Sequence, residues 1–137
     1  METQKSAFRF VKYSIKKSII EFNGKVGHER ELIAGFTPSG IILQNESKFI
    51  LSLLTNIADS TGELKISVLA EGVFEFKNDS PEKDLDNFFY VNASAILFPY
   101  IRAYIATLTT LSGESIVMPT MNLTELGNEL MKNTERQ

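Results

Sequence analysis

The segment FFYVNASAILFPYIRAYIATLTTLSG, from Phe88 to Gly113, decides the fold of this chain. It contains 26 residues and one charged side chain, that of Arg102. From Ala95 to Leu111 the apolar residues recur at helical spacing, but they cover nearly the whole circumference. A surface helix carries one apolar stripe, whereas a helix that is apolar all round must be buried on more than one side. We therefore predict a helix that packs on its own domain with one face and on a partner with another.

The same segment is long enough to span a membrane, which is the alternative interpretation. Arg102 lies near its middle, close to Pro99. An arginine at the centre of a bilayer costs roughly 2.5–3.5 kcal/mol on insertion scales. We therefore predict a buried helix and no membrane insertion. The first ten residues, METQKSAFRF, lack the apolar run of a signal peptide, which favours a cytoplasmic protein.

Length and composition indicate one domain, residues 1–137, with 43% hydrophobic residues and no cysteine. The absence of cysteine excludes disulfides and thiolate metal sites. The net charge of −3 is unevenly distributed, because residues 1–30 carry +4 and the remainder carries −7. A basic first strand is compatible with nucleic-acid binding, but the sequence shows no Gly-rich loop or stacking platform beside it. We favour a solvated sheet face and predict no nucleic-acid partner.

The first two thirds of the chain alternate as β-strands do. Phe8 to Phe22 predicts a long strand whose apolar phase slips near Lys16–Ser18, which indicates a bulge. The polar connection that follows, up to Pro38, is too long for a tight hairpin and predicts a crossover. Three more strands are predicted at residues 40–45, 48–59 and 63–77.

Helices follow the strands. Gly113 suits the end of the long helix, and Asn122 with Glu125 is typical of the start of a closing helix. Strands first and helices afterwards indicate an α+β fold. We predict a four-stranded antiparallel sheet with the long helix and the C-terminal helix on one face.

The sequence offers no arrangement that is typical of catalysis. The single histidine, His28, falls in a polar loop, and Gly24-Lys-Val-Gly27 lacks the spacing of a phosphate-binding loop. No cluster of His, Cys or carboxylates predicts a metal site. We therefore predict a protein that is not an enzyme and has no metal or cofactor. Its apolar surface favours binding.

Several motifs resemble those of the SecB chaperone family. The segment Ile96-Leu-Phe-Pro-Tyr-Ile-Arg102, followed by Gly113 and by Pro119-Thr-Met-Asn-Leu123, is similar to the family's main helix and the link to its last helix. Gly72-Val-Phe-Glu-Phe76 resembles the family's G-I-F motif, and Phe36-Thr-Pro38 stands where members carry W-x-P. The resemblance covers the chain from Phe8 to about Leu130.

The resemblance implies a SecB-like fold and assembly as a dimer of dimers, with the long helices packed in the middle. It also implies binding of unfolded polypeptides, without nucleotide or metal, in a groove between the sheet, the crossover loop and the helices. Leu64, Ile66 and Val68 share one face of a strand, so they are equally compatible with the core or a subunit interface. The client-binding residues predicted in this way are Phe36, Leu64, Ile66, Val68, Tyr100, Leu126 and Leu130. The predicted oligomer interface consists of Phe98, Ile101, Tyr104, Ile105 and Leu108.

The sequence departs from the family at the surface that docks the translocase motor SecA. The resemblance places acidic docking residues on strands one and four, where this chain has Lys16 or Lys17, Lys65 and Ser67. Replacing a charge by its opposite disfavours such a contact, so SecA is a doubtful partner. We therefore predict a chaperone with a dedicated client, such as the unstable antitoxin of a toxin–antitoxin–chaperone system. The alternatives are a general preprotein export chaperone and a structural or assembly protein without client binding.

Overall fold

Five strands form one mixed sheet in the computed structural model, which describes residues 8–24, 31–118 and 121–137. The order of the strands across the sheet is β1-β4-β3-β2-β5. The neighbours β1 and β4, β4 and β3, and β3 and β2 are antiparallel, whereas β5 is parallel to β2. The strands are β1 Phe8–Phe22, β2 Leu32–Leu43, β3 Lys48–Asp59, β4 Leu64–Phe76 and β5 Thr134–Arg136.

The fifth strand corrects the predicted four-stranded antiparallel sheet. β5 pairs with Gly40–Ile42 of β2, and the amide of Gln137 donates to the carbonyl of Ile42 over 2.8 Å. The amide of Gln44 donates to the carbonyl of Gln137 over 3.1 Å. Three polar residues after a helix carry no alternating pattern, so periodicity does not reveal such a strand.

β2 is also longer than predicted, because it begins at Leu32 rather than at Gly40. The turn signal of Thr37-Pro38 lies inside the strand. β5 reaches only Gly40–Ile42, so the earlier part of β2 lies at an edge of the described sheet. Proline is tolerated in edge strands because its missing N–H costs no ladder hydrogen bond there.

The predicted bulge of β1 is confirmed, and the strand order agrees with the predicted crossover. β4 and β3 lie between β1 and β2, so these consecutive strands are not neighbours in the sheet. Residues 25–30, which include His28, lie outside the described residues. The pairing of β1 with β4 shifts between Ile15 and Lys17, as the slip of the apolar phase predicted. A second shift, between Phe10 and Lys12, was not predicted.

Helices cover one face of the sheet, which we call the inner face. The helical residues run without a break through α1 (Glu82–Asp86), a π-helical segment (Asn87–Asn92) and α2 (Ala93–Leu111). A 3-10 turn (Leu123–Leu126) leads into α3 (Gly127–Lys132). A second 3-10 turn, Gln44–Glu46, joins β2 to β3. By length and composition alone Glu82–Leu111 is able to cross a membrane, and 33% of its most apolar window is buried inside the subunit.

The core lies between α2 and the inner face. The side chains of Leu64, Ile66 and Val68 are buried on β4, as the alternation predicted for one face of a strand. Phe89, from the π-helical segment, stacks on Phe49 of β3 with ring centroids 4.5 Å apart. Aromatic pairs of this kind contribute about 0.5–1.5 kcal/mol beyond the burial of their area. The buried residues of α2 that face this core are Ala93, Ser94, Leu97, Phe98, Ile101, Ile105 and Thr109.

Close contacts anchor α3 and β5 beside the π-helical segment. A Cβ atom on Gly127 would lie 2.7 Å from the carbonyl oxygen of Tyr90, so glycine permits the approach of the two backbones. Burial raises the pKa of the Tyr90 phenol, and the charge of Asp86 acts in the same direction. The Tyr90 phenol also hydrogen-bonds Thr134 of β5, and its raised pKa keeps it neutral at physiological pH.

Two side chains of α2 hold the extended segment that follows the helix. Gly113, with a φ of 94°, ends the helix as predicted. Thr109 Oγ1 accepts from the amide of Ile116 over 2.9 Å, and Arg102 Nε donates to the carbonyl of Met118 over 2.6 Å. The only charge on α2 therefore contacts the chain's own backbone.

A buried carboxylate fixes the turn between β3 and β4. Asp59 is 5% exposed, and its Oδ1 accepts from the amide of Leu64 over 3.1 Å. Its Oδ2 accepts from the hydroxyl of Thr61 over 2.8 Å. The φ of 77° at Gly62 completes the turn, because glycine adopts positive φ without strain. These contacts set the register of the two central strands.

We expect Asp59→Ala to lower the free energy of unfolding by about 1–3 kcal/mol, because the buried amide of Leu64 loses its acceptor. Urea unfolding followed by circular dichroism measures the change. The control Thr61→Val removes an exposed partner of the same carboxylate and should cost less than about 1 kcal/mol. Equal losses in the two variants would contradict the role assigned to Asp59.

Candidate functional site

α2 presents an uncharged face to solvent. Its exposed residues Ala95, Pro99, Ala103 and Thr107 follow one another at intervals of four, and Tyr100 lies beside them. We call these five residues the free face of α2. Residues four apart lie on one side of a helix, so the free face is a continuous stripe of small side chains with one large aromatic side chain at its border. In the described chain no element covers this stripe.

Tyr100 belongs to an aromatic cluster on the β1 side of α2. Its ring stacks on that of Tyr13, with centroids 4.6 Å apart, and lies 5.4 Å from that of Phe10. Tyr100 and Tyr13 are 40% and 42% exposed, so each ring keeps a large accessible area. We call Phe10, Tyr13 and Tyr100 the β1-side aromatic cluster. The hydroxyls of Tyr104 and Ser18 lie 2.8 Å apart and tie α2 to β1 next to it.

A second group of the predicted residues lies on the β2 side of α2. Phe36 of β2 is half-buried and meets Phe98 edge to face, with centroids 5.6 Å apart. Leu126 is half-buried in the turn before α3, and Leu130 is buried where α3 packs on β2. The helix α2 therefore separates these side chains from Tyr100.

The seven predicted client-binding residues thus differ in what they offer a ligand. Only Tyr100 is exposed, whereas Phe36 and Leu126 are half-buried. The other four are at most 2% exposed and have almost no surface for a ligand in this arrangement, namely Leu64, Ile66, Val68 and Leu130. Their role in client binding stays a prediction, and their present contacts are those of the core.

The predicted interface residues also divide. Phe98, Ile101 and Ile105 are at most 4% exposed, because they point at the sheet of their own subunit. Tyr104 and Leu108 are half-buried and keep some surface for a partner. Burial within the subunit leaves the first three little area to lose to a second subunit, so the free face is the part of α2 that remains available.

Sequence reasoning missed the small residues of the free face and both β1 partners of Tyr100. The predictions selected large apolar side chains of the helix, and most of those are buried against the sheet. The spacing of Ala95, Pro99, Ala103 and Thr107 was visible in the sequence and marks the opposite side of the helix. Among the described residues no group of three or more His, Cys, Asp or Glu is placed to hold a metal ion. The surface is therefore suited to apolar contact.

No protein-family model and no curated protein matches the chain. Among solved structures, it is similar to the Mycobacterium tuberculosis Rv1957 SecB-like chaperone in complex with a ChAD peptide from the Rv1956 HigA1 antitoxin. That match has a TM-score of 0.70 and 14% identity, and it covers 84% of this chain and 91% of that one. A protein of unknown function from Streptococcus agalactiae matches with a TM-score of 0.42 and 10% identity over 82% and 97% of the two chains. The chain therefore has a SecB-like fold.

Proposed function

We propose that this protein is a SecB-like chaperone that holds unfolded or unstable polypeptides in the cytoplasm without nucleotide or metal. The observation that carries the proposal is the exposed β1-side aromatic cluster beside the uncharged free face of α2. A monomeric soluble protein rarely leaves a contiguous apolar surface uncovered, and such surfaces mark interaction sites. The SecB-like fold supports the same conclusion, because this architecture accommodates a polypeptide chaperone in the M. tuberculosis protein.

The surface is sufficient for the proposed mechanism. A non-native segment exposes apolar side chains, and their burial against the rings of Tyr13 and Tyr100 contributes about 25 cal/mol per Å². Ordering a flexible client opposes much of this gain, so each short contact is weak and reversible. Several copies of the surface in one assembly raise the apparent affinity, because the second contact forms at a high effective concentration. No covalent chemistry is required.

We propose a homo-oligomer, with a dimer of dimers as the assembly. The free face of α2 supports this proposal because small side chains at Ala95, Pro99 and Ala103 allow a second helix to approach closely. β1 supports it as well, since this 15-residue strand forms a border of the sheet and long edge strands are prone to pair with another chain. The small residues are assigned to contact between subunits, and the adjacent aromatic cluster is assigned to the client.

We further propose a dedicated client, such as an antitoxin. The M. tuberculosis protein was solved with a peptide from an antitoxin, which makes this class of client the first to test. Lys16, Lys17 and Lys65 on β1 and β4 disfavour the alternative, a general export chaperone that delivers preproteins to SecA. A structural or assembly protein that lacks client binding is the third possibility, and the exposed aromatic cluster disfavours it.

Ala103→Glu is expected to dissociate the assembly, because a carboxylate without a partner would be buried between helices. Light scattering should give a dimer or tetramer for the natural sequence and a mass near 15.4 kDa for the variant. Asn128→Glu, at an exposed position of α3, is the control and should keep the assembly. A natural protein with the mass of one chain would contradict the oligomer.

Tyr100→Ala is expected to weaken client binding by about tenfold, because truncating an aromatic anchor typically costs more than 1 kcal/mol. Suppression of the aggregation of a chemically denatured test protein, and titration with a labelled apolar peptide, measure the effect. Leu111→Ala is the control, since Leu111 is 82% exposed at the end of α2 and away from the cluster. If Tyr100→Ala leaves binding intact but dissociates the assembly, Tyr100 belongs to the subunit interface.

SecA is expected not to bind at physiological salt, because cations occupy the positions proposed to meet it. Calorimetry with purified SecA tests this expectation, and the double variant Lys16→Glu/Lys65→Glu should bind at least as well as the natural protein. Tight binding of SecA by the natural sequence would favour the export alternative. Aggregation assays in parallel show whether the protein used is active.

A further inference from the structure

The face of the sheet that points away from α2, which we call the outer face, is basic. The side chains of β1 to β4 that point to this face include six Lys or Arg and three Glu, a net charge of +3. The whole chain has a net charge of −3. β5 adds Glu135 at the far border of this face. The outer face therefore differs in sign from the rest of the molecule.

Two ion pairs neutralise one part of the outer face. Arg9 contacts Glu75 over 2.7 Å, and Lys16 lies 4.0 Å from Glu71. Lys12 and Lys17 have no carboxylate within ion-pair distance in residues 8–24, 31–118 and 121–137. The positive charge without a nearby carboxylate therefore lies along β1 at Lys12 and Lys17, whereas Lys48 faces Glu75 on β4 and Lys65 faces Glu21 on β1.

The same face contains a trough of about 480 Å³ near the turn between β3 and β4. Gly35, Ala58 and Ser67 keep its floor low, and Asn56 lies between Gly35 and Ser67. Its charged lining residues, Glu21 and Lys65, pair across β1 and β4 and balance each other. Ile33 and Ile19 rise on either side, and Ile33 is 64% exposed. The trough thus results from the order of small and large side chains across the sheet, and its volume is large enough for a bulky side chain.

Gly35 lies at the β2 border of the trough. It stands inside β2, its φ is not positive, and a Cβ atom built on it meets no described atom within 4 Å. Glycine in the interior of a strand weakens the strand and often marks a place where a ligand or another backbone approaches closely. The missing side chain leaves the trough open at this border.

The charges and the absence of aromatic rings identify the class of ligand. All aromatic side chains of β1 to β4 belong to the inner face, so the outer face lacks the stacking platform that single-stranded nucleic acids require. Half-buried Leu54 and Leu69 pair across β3 and β4, two residues along these strands from Asn56 and Ser67 of the trough. Apolar contact beside free lysines suits a polypeptide that carries carboxylates.

We propose that the outer face binds an acidic polypeptide segment, with one large apolar side chain in the trough beside Gly35 and carboxylates at Lys12 and Lys17. Opposite charges steer such a segment to the sheet and fix its register, while the trough contributes the apolar contact. The site lies on the opposite side of the sheet from the β1-side aromatic cluster. A client on α2 and an acidic partner on the outer face can therefore be held at the same time.

Filling the trough is the sharpest test. Gly35→Val should weaken binding of a short, labelled, glutamate-rich peptide with one central phenylalanine by at least tenfold, measured by fluorescence anisotropy. Ser39→Val, on the same face of β2 outside the trough, should leave it unchanged. If Gly35→Val proves unstable in urea, Ser67→Val serves instead. It fills the trough from β4 and should cause the same loss of peptide binding. Lys12→Glu/Lys17→Glu should also lower the affinity and abolish its dependence on salt.

Other results would overturn the proposal. These are absence of peptide binding to the natural protein, tighter binding of a single-stranded oligothymidylate, or equal binding by Gly35→Val and Ser39→Val. A fall in the assembly mass of Gly35→Val would make the trough a subunit interface. Loss of peptide binding in Tyr100→Ala but not in Gly35→Val would place the peptide in the client site. Suppression of the aggregation of a denatured protein does not require the trough. This assay therefore tests the chaperone proposal separately from the peptide-binding proposal.

Discussion

The packing of α2 on the inner face of the sheet is the interaction on which the rest of the structure depends. Leu97, Ile101 and Ile105 reach the sheet and lose all contact with solvent, while Arg102 and Thr109 hold the segment after the helix against it. A flat sheet can cover only one side of a cylinder. A helix with apolar residues around its circumference therefore leaves an uncharged face open, and the proposed contact with a partner rests on this geometry rather than on any single residue.

The sequence predicted the elements that obey a simple period. β1 and β3 have the predicted bounds, Phe8–Phe22 and Lys48–Asp59, because each is a long run that turn-forming residues follow, Asn23-Gly24 after β1 and Ser60-Thr61-Gly62 after β3. The start of β2 was hidden by Pro38, a residue that usually interrupts strands but is tolerated near the sheet edge. β5 could not be predicted, because its three residues form a strand only through pairing with β2. Local periodicity does not reveal such long-range pairing.

The proposed functional surface was harder to predict than the fold, for a physical reason. A large apolar residue on a helix is equally suited to the core and to a partner, and Phe98, Ile101 and Ile105 are buried in the core of their own chain. What remains for a partner is set by the direction of the side chains around α2. Tyr100 stayed exposed because its ring lies over β1 at the border of the sheet, where Tyr13 covers only one side of it.

The two faces of the sheet differ in chemistry on the same backbone. On the inner side, uncharged aromatic rings suit apolar segments of many sequences, because burial of apolar area is not directional. On the outer side, Lys12 and Lys17 lie on the same face as a trough with a defined position, and charge adds register and partner choice. An apolar segment gains little from the lysines, whereas a strongly acidic one is poorly matched to the rings. The proposed client and the proposed acidic partner therefore call for different surfaces of the same chain.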